Sequence, residues 1–195
     1  MSQPGRILRR AVCALLLAGA LPAAVPPALP DDPACTRRDR ELIARTYELA
    51  RISSARNDGG HGALLLKDGR VLLEFSSATN SSGDVTQHAE TGLISLASRQ
   101  FGLAVFKDAV LYTSEEPCIM CCGAVRAAGL RNFVYGTTAA QARRISGRPV
   151  PADLLECREV FARLDYPVTI RGPLMEAEGL DLLAELHARR SAARK

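Results

Sequence analysis

Two short segments carry the residues that could do chemistry: His88-Ala89-Glu90 and, further along, Pro117-Cys118-Ile119-Met120-Cys121. One imidazole and two thiols form a nitrogen–sulfur donor set suited to Zn²⁺, and a catalytic zinc takes three protein ligands while keeping a fourth position open for water. Cys118 and Cys121 stand three apart at an expected helix start, so both thiols face one side. The free amides of that helix end favour the thiolate form. His88 would supply the third ligand. Glu90 follows two residues later, near enough to reach a water at the open position without being a ligand. Zinc lowers the pKa of such a water from 15.7 to about 7. Glu90 would carry the water's proton to a substrate nitrogen and then to a departing amine, which is general acid–base work by one carboxylate.

Taken singly, each segment has a plainer reading. A lone histidine is more often a satisfied polar residue than a ligand, and a lone C-x-x-C serves equally as a redox pair or in a core. A four-thiolate structural site needs a second C-x-x-C, and Cys13, Cys35 and Cys157 offer none. Cys122 would compete as a ligand, but Gly123-Ala124 after it suggests a tightly packed helix face and a small core residue. His61, ahead of the first expected strand, reads as structural, with pocket lining as the alternative. His187, in the last expected helix, reads as surface or interface.

The elements that must position these residues follow from period and punctuation. A helix opens at Thr36 with apolar positions Leu42, Ile43, Tyr47 and Ala50, and ends at Asn57-Asp58-Gly59-Gly60. Apolar runs at 62–67 and 70–75 are joined by Asp68-Gly69, a strong hairpin signal. A polar loop at 76–86 precedes a helix over 88–101, stopped by Gly102. A strand at 109–113 leads to a helix over 117–128, opened by Pro117 and closed by Gly129. A strand at 132–136, a helix over 152–164, a strand at 168–171 and a helix over 175–189 complete the pattern. There is no internal repeat. Helices alternating with short strands imply an α/β layered domain.

The 195 residues suit one domain with something left over. A hydrophobic content of 47% excludes a disordered chain, and six cysteines are too few for a small disulfide scaffold. The formal charge of +4 sits at the ends. Arg6, Arg9 and Arg10 lie in residues 1–30, and Arg189, Arg190, Arg194 and Lys195 close the chain. With those seven set aside, 18 basic residues face 21 acidic ones, a balance of −3. That is not the broad basic surface of a dedicated nucleic-acid binder. Residues 1–30 pair a short cationic start with the run AVCALLLAGA and then small residues, the order of a secretory leader. Arg9-Arg10 is a twin-arginine pair. Pro22, Pro26, Pro27 and Pro30 break the apolar stretch, so no stable membrane span is expected after processing. The alternatives are a mis-assigned start, which would leave the protein cytoplasmic, and an uncleaved anchor. The expected organisation is a leader over 1–30, a linker over 31–35, a zinc-dependent domain over 36–190 and a basic tail over 191–195.

The segments Asp84–Leu96 (DVTQHAETGLISL) and Leu111–Val125 (LYTSEEPCIMCCGAV), with NFVYG after them, resemble the cytidine/deoxycytidylate deaminase superfamily. The nearest branch is that of bacterial guanine deaminase and the tRNA adenosine deaminases. The last strand and helix, VTIRGPLMEAEGLDLLAELHARR, also resemble that branch. The resemblance implies a three-layer α/β/α fold around a five-stranded mixed sheet, usually in a homodimer. It implies zinc on His88, Cys118 and Cys121, proton transfer by Glu90, and the Ala89 amide and Pro117 beside the substrate. An Asn about eleven residues before the ligand histidine holds substrate in such enzymes. Here that register falls on Ser77, with Asn80 close by.

The expected activity is therefore hydrolytic deamination of a small-molecule nucleobase or nucleoside, of guanine or cytosine type, with release of ammonia. Adenosine-to-inosine editing of tRNA is the first alternative, disfavoured by the leader and the −3 body. A non-catalytic zinc-stabilised binding module is the second, and retention of Glu90 stands against it.

Overall fold

Asp68 and Gly69 turn the chain with φ of 50° and 74°, the backbone that a two-residue hairpin demands. The flanking strands β1 (Gly62–Lys67) and β2 (Arg70–Ser76) pair antiparallel. The computed structural model describes residues 27–152 and 154–192. β1 also pairs antiparallel with β3 (Val110–Glu115). From β3 the sheet continues in parallel through β4 (Asn132–Thr137) to β5 (Thr169–Arg171). The result is a five-stranded mixed sheet in the order β2-β1-β3-β4-β5.

The period-2 alternation of the strands divides the core. Leu64, Tyr112 and Val134 face α1 (Arg37–Ala55) and α6 (Glu176–Ala192), packing with Leu42, Ile43, Leu182 and Leu186. Their neighbours Leu65, Leu111 and Phe133 face the opposite layer. There they meet Leu93 of α2 (Ala89–Phe101), Val125 of α3 (Ile119–Ala128) and Phe161 of α5 (Cys157–Arg163). Every one of these side chains is buried, so the α/β/α sandwich follows from one face of each strand serving each helical layer.

Polar side chains tie the layers at their ends. Thr36 caps α1 in a capping box with Asp39. Asp39 then accepts from Tyr112 Oη at 2.6 Å and Arg171 Nη1 at 2.6 Å, joining α1 to β3 and β5. Burial opposes its charge, but the bonds from Tyr112 and Thr36 and the Arg171 guanidinium win and hold the carboxyl below its usual range. Glu116, just beyond β3, accepts from Cys157 N at 2.7 Å and Ala139 N at 3.1 Å. One carboxylate thereby caps the starts of α5 and of α4 (Ala139–Ile145).

The structure departs from the sequence expectations in places. α4 and a 3₁₀ turn at Leu103–Phe106 have no apolar period to announce them. The helix expected over 152–164 begins only at Cys157, where Glu116 supplies the cap. Pro117 precedes the N-cap Cys118 of α3 rather than occupying its first turn. Residues 31–35, read as a linker, are hydrogen-bonded to the body: Met175 N donates to Asp31 at 2.7 Å and Gly172 N to Asp32 at 3.0 Å. Residues 1–26 of the expected leader and 193–195 of the expected basic tail lie outside the described residues, while Leu29 N donates to Glu176 Oε2 at 2.6 Å. Among the described residues no helix is long and apolar enough to cross a membrane.

Candidate metal centre and adjoining cavity

His88 is the N-cap of α2 and Cys118 the N-cap of α3, both in extended backbone conformation. Neither side chain caps its own helix, so both remain available as ligands. Cys121 lies one turn into α3 and is buried. Two positive helix ends therefore converge on one point, which favours anionic sulfur. The three donor atoms lie within 4.8 Å of one another, the group among the described residues that could hold a metal ion.

The distances test the fit. Tetrahedral zinc with bonds of about 2.3 Å to sulfur and 2.0–2.1 Å to nitrogen would set the sulfurs about 3.8 Å apart and each about 3.6 Å from nitrogen. Cys118 Sγ and Cys121 Sγ stand 3.5 Å apart, and His88 Nδ1 is 3.7 Å from each. The donor set and its spacing fit zinc. The bond from Cys121 pushes the Cys118 thiol down to about 4 against its burial, with His88 assisting, while Cys121 is pushed up. Metal binding displaces the thiol protons.

Glu90 sits in the first turn of α2 with 6% of its surface exposed. Burial, foremost, raises its carboxyl above the usual range, the direction expected of a group that both takes and returns a proton. Glu90 lines a cavity of about 410 Å³ together with His88, Pro117 and Cys118. The cavity opens at the end of the sheet where the parallel strands β3 and β4 finish, the usual place for a ligand crevice in α/β sheets.

The sequence-expected residues divide accordingly. His88, Glu90, Pro117, Cys118 and Cys121 come together. Ala89 is buried at the first position of α2. Ser77 and Asn80 are not among the residues lining this cavity. The Ser77 hydroxyl donates to Gln87 O at 3.2 Å, and exposed Asn80 donates its side-chain amide to Asn57 O. Asp58 holds that loop by accepting from Asn80 N at 2.9 Å and Ser81 N at 2.8 Å. Cys122 is a core residue, as its neighbours suggested.

Sequence reasoning passed over Glu115, Arg143, Arg148 and Leu154, all of which line the cavity. Glu115 adjoins the motif in S-E-E-P-C and was open to notice. Arg143 and Arg148 lie on α4 and the loop after it, which no period predicts, and Leu154 lies ahead of α5 in a stretch expected to be helical. His61, read as structural, also stands on the cavity wall. His187, read as surface or interface, lines an adjoining cavity of about 370 Å³ that shares His61, Glu115 and Arg148 with the first.

Comparison with known proteins agrees with this arrangement. Residues 36–137 match the family model of the cytidine and deoxycytidylate deaminase zinc-binding region. The Schizosaccharomyces pombe protein named "Probable cytosine deaminase" is 29% identical over 153 residues, covering 74% of this chain and 91% of that one. Guanine deaminase of Bacillus subtilis is 42% identical over 67 residues, covering 34% of this chain and 43% of that protein. A solved structure from studies of A-to-I editing by tRNA:A34 deaminases has a TM-score of 0.60 at 26% identity, covering 73% of this chain and 98% of its own. The family match spans just over half of the sequence, and the chain belongs to the family of cytidine and deoxycytidylate deaminase zinc-binding domains.

Proposed function

We propose that this protein is a zinc-dependent hydrolase that deaminates a nucleobase or nucleoside of guanine or cytosine type. The observation that carries the reading is the buried Glu90 carboxyl in one cavity with the His88, Cys118 and Cys121 donors. His88 Nδ1 and the two Sγ atoms would hold the zinc. A zinc there would supply Lewis acidity and bring a water's pKa down to about 7.

The chain's own groups do the rest. Glu90 takes a proton from the attacking water and delivers it to the ring nitrogen beside the amino-bearing carbon, then takes the second proton from the hydroxyl so formed and gives it to the leaving amine. Water adds at that carbon, its C–N bond breaks, and ammonia departs with a carbonyl left behind. The Ala89 amide, first of α2 and free of an intrahelical acceptor by position, is assigned to the substrate's polar edge. Pro117, Ile119 and Leu154 form apolar wall suited to a flat ring.

Editing of tRNA adenosine is the second reading. It is favoured by Arg143 and Arg148 at the cavity and by the likeness to a tRNA:A34 deaminase structure. Ammonia release from guanine, cytosine, adenine, their nucleosides and an anticodon stem-loop separates the readings. Turnover of a base or nucleoside supports the first, and activity on the stem-loop alone establishes the second. Silence on the whole panel by protein carrying one zinc per chain would favour a non-catalytic module.

A further inference from the structure

β1 and β3 pair antiparallel with Ala63 opposite Thr113. Two residues further along that register, His61 falls opposite Glu115. Gly62 N donates to Ser114 Oγ at 3.1 Å between them, keeping the strands in step. A Cβ on Gly62 would strike the Thr46 carbonyl of α1, so glycine is required for β1 to begin here with His61 just ahead of it. His61 and Glu115 both line the cavity that holds Glu90 and His88.

The two side chains are mutually incomplete. Glu115 Oε2 is buried and makes no hydrogen bond, an arrangement that costs about 1–3 kcal/mol or more for a polar group. His61 Nδ1 stands 3.3 Å from it. Above pH 7, where Glu115 is mostly ionised despite its burial, the carboxylate only accepts, so a proton on Nδ1 is what it calls for, and the other ring nitrogen then carries a lone pair. A carboxylate fixing an imidazole tautomer in this way is a common device at metal and catalytic sites. Burial, ahead of all else, pushes His61 down to about 4, so the ring is neutral at neutral pH.

We propose that His61 and Glu115 form a specificity pair, in which Glu115 keeps the His61 proton on Nδ1 and His61 Nε2 accepts a ring N–H of a free base. The inference rests on the deaminase reading of the site and names its substrate class. In cytosine and adenine, the one N–H outside the reacting amidine is the ring N–H that bears the sugar in nucleosides. Guanine has a further ring N–H beside the reacting carbon, which its nucleoside keeps, so for guanine the proposal places His61 Nε2 at the sugar-bearing nitrogen specifically. A neutral acceptor on this wall is therefore satisfied by a free base and left unpaired by a nucleoside. His61 binds substrate; Glu115 is a positioning residue that acts through it.

The test compares guanine with 9-methylguanine and cytosine with 1-methylcytosine, by steady-state kinetics and by titration calorimetry. It uses the zinc-loaded full chain at pH 8, wild type and the variants His61→Phe, Glu115→Gln and Glu115→Leu. The wild type is expected to favour the unmethylated form of the base it uses by about 10²-fold in kcat/KM. His61→Phe brings that ratio close to one, with the loss falling on KM more than on kcat. Glu115→Gln retains part of the ratio, since its amide oxygen still accepts from Nδ1, whereas Glu115→Leu loses it. Equal turnover of methylated and unmethylated base by the wild type overturns the proposal. So does a ratio unchanged in His61→Phe or, should that variant not fold, in Glu115→Leu. If no base releases ammonia, the deaminase reading falls by itself, and the ratio of dissociation constants still decides the pair.

Discussion

Glu115 and Glu116 are neighbours at the end of β3, and the protein treats them in opposite ways. Glu116 is fully engaged: each oxygen takes a backbone amide, one from the start of α4 and one from the start of α5. Glu116 also lines the cavity and fixes the start of α4, whose Ala139 and Arg143 form part of its wall. Glu115 has an oxygen with no hydrogen bond and an imidazole 3.3 Å away, both on the cavity wall. A satisfied buried carboxylate is architecture, whereas an unsatisfied one beside a reaction cavity is a place where stability yields to function. The same contrast separates His88 and Cys118 from Thr36. All three are N-caps, but only Thr36 uses its side chain to cap.

The largest expected effect falls on the metal. Cys118→Ala leaves two donors and should drop zinc content from about one per chain towards zero, read by elemental analysis, with activity lost alongside. Next is the architectural carboxylate. Glu116→Ala removes two helix-start bonds and should lower unfolding free energy by about 2–4 kcal/mol in denaturant titration. A change below about 0.5 kcal/mol would contradict the role given to Glu116.

The pH dependence of stability sharpens the comparison further. Burial raises Glu115 from 4.5 to about 7, so the folded protein holds a proton there that the unfolded chain releases. Its contribution is therefore lost as pH rises from about 4.5 to about 7. In Glu115→Leu that decline should flatten, and its Tm at pH 7 should be no lower than that of the wild type. Asp39 behaves in the reverse sense. Its folded pKa is depressed, so its contribution is present above about 4 and is lost as pH falls through the folded value. Asp39→Asn should remove that acid-side loss, the smallest of these effects, in a comparison of thermal unfolding at pH 3 and pH 6.

What was legible in the sequence was what lies close along the chain. The Asp68-Gly69 turn, the glycine stops after α2 and α3 and the C-x-x-C spacing all act over a few residues, where backbone geometry leaves little choice. The site was legible as two segments because each begins a helix, and helix starts meet where a sheet ends. The His61–Glu115 pairing depends on β1 lying beside β3 in one register, which no local pattern in either strand specifies. α4 escaped for a related reason. Its sequence AAQARRI has no apolar stripe, and its start is set by a carboxylate 23 residues earlier. Ser77 and Asn80 were sought by counting back from His88. The loop between them is instead organised by Asp58, a residue from the far side of the β1–β2 hairpin.

The central claim is that Glu90 moves protons for a hydrolytic deamination at the metal centre. Ammonia release from the preferred base, measured for the wild type and Glu90→Gln at equal zinc content, tests it most directly. The account predicts a fall in kcat of about 10²–10⁴-fold with zinc still bound. A Glu90→Gln protein that holds its zinc and turns over at the wild-type rate would contradict it.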